Sequence, residues 1–360
     1  MKRKNHIKKT SNSHNSTIEK DRAQTPVNRK ESSRKSQQRI KKSPSQRKKK
    51  PFNTPQIHPP SLPPHPKISI IMTSYKEPAL HLAIEAVIHQ HTMHRYELII
   101  VSPEKEAEDL VARYKNSHLH YFKDEGKGKV AAINQVLQTI ASDIVILTDG
   151  DVIVLPNAIN ELVKPFEDPH IGCVSGRVIS ANQKDAIFGY WSHLLADAGA
   201  HQIRKELAEK KQFLECTGYL FAFRSHGIKK IPTDVAEDTI IPYLFKQKGY
   251  GIGYAEKAEV LVKNPTNWGD WLQQRKRTAK SHETLKKYVD IQKIPRVKSF
   301  TNEIQRGFFW ALSYPQTVRE FYWTLLLFLA RFYMWLLVFY ETRILDKHYT
   351  DKWKRVETAR

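Results

Sequence analysis

A chain of 360 residues with 40% hydrophobic content can bury the core of one large domain or two ordinary ones. Its two cysteines, Cys173 and Cys216, exclude a disulfide framework or a four-cysteine zinc site, and we expect packed thiols in a reducing compartment. The formal net charge is +22, but 18 of the 59 Lys and Arg residues lie in the first 66 positions beside only 3 acids, so the remainder is mildly basic.

Residues 1–66 are predicted to form a disordered tail, basic over its first 50 positions and proline-rich after them. The basic part has too little apolar surface to offset the entropy of ordering it, and the prolines favour an extended spacer. Such a tail can simply be solvated, or it can bind anionic membrane lipids. Its single aromatic residue, Phe52, argues against nucleic acid as a partner, because bases have nothing else to stack on.

Residues 67–149 alternate between strand and helix patterns. Apolar runs predict four strands, KISIIMTSY, YELIIVS, HLHYF and DIVILTD, separated by the helical segments ALHLAIEAVIHQH, EKEAEDLVARYKN and KVAAINQVLQTI. This alternation predicts an α/β fold with a Rossmann-like, mostly parallel sheet flanked by helices. Ligands of such sheets gather beyond the carboxyl ends of the strands, which places Tyr75 to Glu77, Ser102 and Asp149 to Asp151 along one edge.

Asp149 and Asp151 follow the fourth strand with a glycine between them. Two carboxylates so close can point at a shared position, and they repel each other unless a cation lies between them. Mg²⁺ or Mn²⁺ typically takes one or two protein carboxylates and leaves its other positions to water and phosphate oxygens, which suits a nucleotide diphosphate. Asp-Gly is also a common turn pair, so the spacing alone leaves a plain turn open.

Six segments resemble, in order, the family 2 glycosyltransferases, inverting enzymes of the GT-A fold that include the cellulose and hyaluronan synthases. The similarity covers about residues 67–285, and its segments are SIIMTSYKEP, GKGKVAAINQVL, LTDGD, ECTGYLFAFR, VAEDTIIPYLFKQKGYGIGY and WLQQRKRTAKS. The resemblance implies a GT-A domain over residues 67–290 with Asp149 and Asp151 as ligands of Mg²⁺ or Mn²⁺. It also implies inverting sugar transfer from a nucleotide-sugar donor, here UDP-linked, by a hexosyltransferase.

By the same resemblance, Asp238 is the base that deprotonates the acceptor hydroxyl, and Glu237 orients the acceptor or the loop. Asp238 could instead be an N-cap of the helix that follows it, or could do both. Gly218 and Tyr219 are implied to shape the acceptor pocket, although a buried strand with a glycine bulge would look similar.

The donor-binding residues implied by the resemblance are Tyr75, Glu77, Ser102, Lys129, Asp149, Gln274 and Arg277. Gln274 and Arg277 lie one helical turn apart, where a guanidinium can hold phosphate oxygens, but such a basic run can also be a solvated or membrane-facing surface. Lys129 could likewise be a surface lysine that opens a helix.

Two positions depart from the family pattern. Thr278 stands where the pattern has a tryptophan, which argues against processive polymer synthesis. Ser102 stands where many members carry an aspartate that contacts uracil, so the preference for uridine is weaker than the prediction of a transferase. A serine hydroxyl can still hydrogen-bond a base edge.

Residues 321–340 form an apolar, aromatic-rich stretch long enough to span a membrane, but Arg331 lies near its centre and both flanks are basic. An in-plane helix, paired with the preceding IQRGFFWALSY, fits both observations, while a true span and burial in a protein core stay open. We expect residues 291–360 to form membrane-associated helices at the cytoplasmic side, where a lipid-linked acceptor would arrive.

The sequence therefore predicts a metal-dependent glycosyltransferase acting on a lipid-linked or saccharide acceptor at the cytosolic membrane face. A nucleotidyltransferase is the enzymatic alternative, but SIIMTSYKEP lacks its glycine-rich triphosphate loop. The alternative from another class is a non-catalytic, membrane-associated scaffold whose basic tail binds anionic partners.

Overall fold

The computed structural model describes residues 59–290, 294, 307–347, 349 and 358. Most of the tail predicted for residues 1–66 therefore lies outside the described residues, as do most of residues 291–306. The domain boundaries proposed from the sequence remain predictions.

A single eight-stranded sheet forms the centre of the described domain. Its strands are β1 (Ile68–Thr73), β2 (Tyr96–Ser102), β3 (Leu119–Lys123), β4 (Ile144–Asp149), β5 (Val152–Val154), β6 (Ile171–Ser180), β7 (Leu220–Arg224) and β8 (Gly251–Val262). Their order across the sheet is β3-β2-β1-β4-β7-β6-β8-β5.

Ten α-helices are defined among the described residues. They are α1 (Leu80–Ile88), α2 (Lys105–Ala112), α3 (Lys129–Val136), α4 (Ala158–Val163), α5 (Ile187–Ala196), α6 (Gln202–Glu209), α7 (Glu237–Gln247), α8 (Trp268–Thr284), α9 (Phe308–Ser313) and α10 (Val318–Arg343). A π-helical turn, Asp197–His201, joins α5 to α6.

The first half of the sheet has the predicted parallel arrangement. Strand β1 pairs in parallel with β2 and with β4, and β2 pairs in parallel with β3. Successive β1 side chains point to opposite faces, so that Ile70 and Met72 pack in one layer with Ile84, whereas Ile71 packs in the other with Ile133. Both faces are covered, which explains why these strands read as continuous apolar runs and confirms the predicted α/β class.

The second half of the sheet is mixed. Strand β7 runs antiparallel to both β4 and β6, β8 is parallel to β6, and β5 is antiparallel to β8. The antiparallel direction of β7 matters for the site, because its first residue, Leu220, pairs with Thr148 near the end of β4. The loop before β7 therefore meets the tip of β4. Cys173 and Cys216 are buried free thiols, as expected.

The long helix α10 packs along the domain through one stripe of buried residues. The stripe consists of Thr324, Leu327, Ala330, Met334, Val338 and Thr342. At one end, Trp191 Nε1 of α5 donates to the Trp323 carbonyl at 2.7 Å. At the other, Lys276 and Lys280 of α8 each contact the Glu341 carboxylate at 2.5 Å. The helix is thus held to the folded domain over most of its length.

The opposite face of α10 is exposed and apolar. Leu329, Phe339 and Tyr322 are 66%, 61% and 59% exposed. Of the helices in the described ranges, α10 is also the one long and apolar enough to cross a membrane. An apolar helix with one packed and one exposed side is compatible with membrane association.

Candidate active site

A cleft of about 270 Å³ opens at the carboxyl ends of β1 and β4. All but one of the side chains proposed from the sequence line it: Tyr75, Glu77, Lys129, Asp149, Asp151, Gly218, Tyr219, Glu237, Asp238, Gln274 and Arg277. Residues from widely separated parts of the chain therefore converge at the sheet edge predicted to bind ligand.

Ser102 is the exception. It is completely buried at the end of β2, where its hydroxyl accepts a hydrogen bond from the Glu104 backbone N–H at 3.3 Å. Its carbonyl accepts from the Tyr121 hydroxyl at 2.8 Å. These contacts stabilise the edge formed by β2 and β3, and they do not bring Ser102 into the cleft. Its role in donor binding stays a prediction.

The loop after β1 directs two side chains into the cleft. Lys76, between Tyr75 and Glu77, has a φ of 53°, in the left-handed region that non-glycine residues rarely adopt. Its backbone N–H donates to the Glu104 carboxylate, and the Glu77 carboxylate accepts from the Ala79 N–H at 3.0 Å. Such a conformation costs on the order of 1–3 kcal/mol and persists where surrounding contacts hold it.

The glycine between the paired aspartates is explained by packing. A Cβ atom on Gly150 would lie 2.9 Å from Leu80 Cδ1 and 3.1 Å from Ser74 Cβ, so a larger residue here would force these neighbours to shift. Asp149 Oδ1 accepts from the Thr73 hydroxyl at 2.8 Å. A plain Asp-Gly turn accounts for the glycine, but not for two carboxylates lining one cleft.

Asp151 is electrostatically unfavourable in its ionised form. Its surface is open to the cleft, yet the surrounding protein restricts its hydration, and the Asp149 and Glu77 carboxylates repel it. Together these effects raise the pKa of Asp151 to about 7, although Lys129 acts in the opposite direction. A cation bound between the two aspartates would relieve the repulsion.

Lys129 joins two sides of the cleft. Its ammonium lies 2.7 Å from Asp149 Oδ1 on β4 and 2.6 Å from Glu237 Oε1 on α7. Burial disfavours the charge, but the two carboxylates outweigh that penalty and raise the pKa of Lys129 well above its ordinary value. The side chain is only 14% exposed, so it is not the surface lysine that the sequence left open. Gly128 before it has a φ of 125°, which suits glycine at this entry to α3.

Glu237 and Asp238 occupy the first turn of α7, but they differ in environment. Glu237 is 4% exposed; burial raises its pKa, and Asp238 and Asp149 add to the effect while Lys129 partly offsets it. Asp238 is half-buried and lines the cleft. The N-cap of α7 is Ala236, so the sequence-based alternative in which Asp238 caps the helix is not observed.

The loop before β7 packs against Asp238. A Cβ atom on Gly218 would lie 3.1 Å from Asp238 Oδ2, which shows how closely the glycine backbone approaches that carboxylate. Next to it, the Tyr219 hydroxyl accepts from Gln274 Nε2 at 3.4 Å, and burial raises the pKa of Tyr219 to about 12. This loop and α8 thus form one wall of the cleft.

Helix α8 presents a polar face to the same wall. Asn267 caps the helix by accepting from the Asp270 N–H at 2.9 Å. Gln274 and Arg277 both face the cleft, as their spacing predicted, and so does Thr278. The basic run in α8 is therefore not wholly a solvated surface.

Among the cleft residues that were not identified from the sequence, Thr73 and Lys263 are chemically the most informative. Thr73 ends β1 and orients Asp149 by the hydrogen bond described above. Lys263 directly follows β8 and adds a positive charge. In both cases a polar residue at the end of an apolar strand was the available signal.

The residues at the tip of β4 fit a divalent cation that takes only one or two of its ligands from the protein. Within the described ranges, no group of three or more His, Cys, Asp or Glu side chains is gathered for a metal. Two cleft carboxylates, one of them with a strongly raised pKa, are nevertheless the donor set that suits an ion completing its shell with water and phosphate.

Comparison with known families gives a match over residues 64–281, to the family described as "Glycosyltransferase like family 2". The match spans more than half of the chain. It includes all the cleft residues described above, from Thr73 of β1 to Thr278 of α8.

The chain is similar to two curated proteins named N-acetylglucosaminyltransferase. The protein from Rhizobium sp. (strain N33) is 22% identical over 243 residues, which are 60% of this chain and 52% of the relative. That from Rhizobium leguminosarum bv. viciae is 22% identical over 245 residues, 61% of this chain and 56% of the relative. The chain thus spans a little over half the length of these relatives.

Among solved structures, the chain is similar to a mannosyltransferase from Pyrobaculum calidifontis in complex with GDP-Man and Mn²⁺. The sequence identity is 17% and the TM-score 0.48, with 78% of this chain and 82% of that chain covered.

Proposed function

Because the chain belongs to the glycosyltransferase-like family 2, it is a glycosyltransferase of the GT-A fold, and we propose that it transfers a sugar with inversion. The donor is a nucleotide sugar, and the acceptor is a hydroxyl on a lipid-linked or saccharide molecule. The observation that carries this proposal is that Asp238 meets the loop of Gly218 in the cleft that Asp149 and Asp151 also line. Family membership favours this activity over a nucleotidyltransferase or a non-catalytic scaffold.

Asp238 is the proposed catalytic base. Inverting transfer requires a carboxylate facing the acceptor hydroxyl while the sugar carbon develops positive character. Asp238 is half-buried and lines the cleft, whereas Glu237 is buried against Lys129. We therefore assign proton removal to Asp238. Glu237, expected from the sequence to orient the acceptor or the loop, acts through the Lys129 contact as a positioning residue.

Asp149 and Asp151 are the residues that would hold Mg²⁺ or Mn²⁺. When bound, the ion neutralises charge on the nucleoside diphosphate that leaves. Arg277 and Lys263 line the same cleft and supply fixed positive charge for the phosphates, while Gln274 braces the wall through Tyr219. Tyr75 and Glu77 line the cleft, and their proposed role is to contact the nucleoside, for which a uridine remains the first expectation.

We further propose that α10 lies in the plane of the membrane at its cytoplasmic side. The contact at Trp323 holds the helix to α5, and the contacts at Glu341 hold it to α8. The other side of the helix is apolar and exposed. A helix held in this way is better suited to an interface than to a span, because the charged helix α8 would have to enter the bilayer with it. Binding of anionic lipids by the basic tail rests on residues outside the described ones.

The test is release of nucleoside diphosphate by the purified full chain from a panel of UDP-, GDP- and other nucleotide-linked sugars. We expect release from one nucleotide class with Mn²⁺ or Mg²⁺ and loss of release in EDTA. For Asp151→Ala, the metal concentration that gives half-maximal release should rise at least roughly tenfold. Asp143→Asn is the matched control, since Asp143 precedes β4 and accepts from the Lys67 N–H at its opposite end. No release from any donor, with lipid and saccharide acceptors supplied, would overturn the proposal.

A further inference from the structure

A second cavity of about 600 Å³ lies between α5, α6, α8 and α10, within the range of roughly 300–1,000 Å³ that is typical of small-molecule sites. Its walls are mainly aliphatic and aromatic. Leu195, Ile203 and Leu207 line one side, and Phe328 and Phe332 of α10 line the other. We call this cavity the apolar pocket.

The apolar pocket opens onto the catalytic cleft. Asp149, Gly218, Tyr219 and Asp238 line both cavities. A molecule that occupies the apolar pocket can therefore present its end to the proposed base. Walls of this composition offer few hydrogen bonds to the hydroxyl groups of a sugar chain, whereas they match a hydrocarbon chain well.

Three arginines line the apolar pocket, and one of them, Arg204 of α6, donates from its Nε to the Glu215 carbonyl at 2.9 Å. Arg275 comes from α8 and Arg331 from the centre of α10, and both line the pocket. The charge that opposed simple insertion of α10 into a membrane is thus turned toward this cavity. Guanidinium groups beside apolar walls suit a phosphate or a similar anion attached to a hydrocarbon chain.

We propose that the apolar pocket binds the lipid part of the acceptor. The hydrocarbon chain packs between α6 and α10, an anionic phosphate linker lies near Arg275 and Arg331, and the reacting hydroxyl reaches Asp238. The exposed apolar face of α10 provides the approach from a membrane. This inference rests on the proposed function and specifies its acceptor as a phosphate-linked lipid rather than a free saccharide.

Binding of alkyl phosphates to the full chain tests the inference by calorimetry. We expect dodecyl phosphate to bind at least about tenfold more tightly than butyl phosphate, because each buried methylene contributes. Dodecyl maltoside, which is neutral, should bind more weakly than dodecyl phosphate. Ala200→Phe, which fills the pocket, should abolish the dependence on chain length, and Arg331→Gln should reduce the preference for phosphate.

A second filling variant, Gly199→Leu, guards against misfolding of the first. The nearest atom to a Cβ on Gly199 would be 3.6 Å away, which is an ordinary contact, so the first carbon of the added side chain has room. The matched controls are Leu329→Ser and Arg343→Gln, which change exposed residues of α10 outside the apolar pocket. We expect neither control to alter the preference for chain length or for phosphate.

The outcomes separate this inference from the proposed function. If both filling variants bind dodecyl phosphate as the unaltered chain does, or if Leu329→Ser alone removes the dependence on chain length, amphiphiles bind the helix surface and the inference is wrong. If dodecyl phosphate binds as expected but no nucleotide sugar is consumed, the proposed function is wrong and the lipid site stands. If a donor is consumed and a free saccharide is glycosylated as efficiently as a phosphate-linked lipid, only the inference is wrong.

Discussion

The catalytic cleft and the apolar pocket share a wall, yet they are built in opposite ways. The cleft is lined by charged groups whose positions are fixed by ion pairs, chiefly those of Lys129 with Asp149 and Glu237. The apolar pocket is lined by side chains such as Leu195 and Phe328 that have no polar partners to fix them. Charged groups can hold the phosphates of a donor in one geometry, whereas an apolar cavity can admit a flexible chain.

The largest expected effect comes from removing the proposed base, Asp238, which lines the cleft. Asp238→Asn keeps the size of the side chain but cannot take a proton, so we expect kcat to fall by about 10²–10⁴-fold. Donor affinity should change little, because the substitution leaves Asp149, Asp151 and Arg277 in place. Initial rates and equilibrium binding of the nucleotide measure the two effects separately.

Asp234→Asn is the matched control for this substitution. Asp234 lies on the same segment, and its carboxylate pairs with Lys287 at 2.7 Å without lining the cleft. Equal loss of turnover in both variants would mean that the segment matters only for folding.

The second prediction concerns how the cleft is held together. Lys129→Met leaves the Asp149 and Glu237 carboxylates without their shared cation, and we expect the free energy of unfolding to fall by about 3–5 kcal/mol. Adding Glu237→Gln should restore part of the loss, because one uncompensated charge is removed. Chemical denaturation of the single and double variants provides the measurement.

Lys127→Met supplies the comparison for Lys129→Met. Lys127 is two residues away, 73% exposed, and pairs with the exposed Glu125. Its replacement should hardly change stability. A similar loss for both lysines would show that the buried bridge has no special role.

The smallest expected effect concerns the docking of α10 beside the apolar pocket. Burial would raise the pKa of Glu341, but its hydrogen bonds to Lys276 and Lys280 lower it below the ordinary value of 4.5. The ion pairs therefore contribute fully above that value, and the contribution is lost as the pH falls through the lower pKa of the folded state. We expect Glu341→Gln to cost about 1 kcal/mol or less at pH 7.

Urea unfolding at a series of pH values tests the sign of this effect. The difference in unfolding free energy between the unaltered chain and Glu341→Gln should shrink as the solution becomes more acidic than about pH 4.5. A difference that grows on acidification would contradict the assigned role of Glu341.

Strand ends are local signals, and they predicted the part of the cleft formed by Tyr75, Glu77, Asp149 and Asp151, whereas the other cleft residues were implied by the resemblance to family 2 glycosyltransferases. The runs that became β1 and β4 are buried along almost their whole length, and the polar residues that follow them stand out against them. Ser102, also at the end of a strand, lies outside the cleft, and its role in donor binding stays a prediction. At the end of a strand, neighbouring residues point to opposite faces, and the pattern alone does not say which one reaches the ligand edge.

Other features depend on contacts between distant segments and have no local pattern. The Lys129 bridge exists because α3 and α7 meet at the tip of β4, which no periodicity in either helix reveals. The antiparallel direction of β7 is similar, since it is decided by pairing with β4 and β6 rather than by its own sequence. Arg331 likewise lines the apolar pocket because α10 packs beside α8, which the pattern of α10 alone does not reveal.

The shared ammonium of Lys129 has a consequence for the history of this enzyme. Because the ammonium of Lys129 pairs with both Asp149 and Glu237, we expect the residues at these three positions not to change independently during evolution. In a related protein that lacks the lysine, we expect one of the two acids to be replaced as well, or another basic side chain to lie near them. The residues at the three positions would thus change together, and a protein with only one of them replaced would be at a disadvantage.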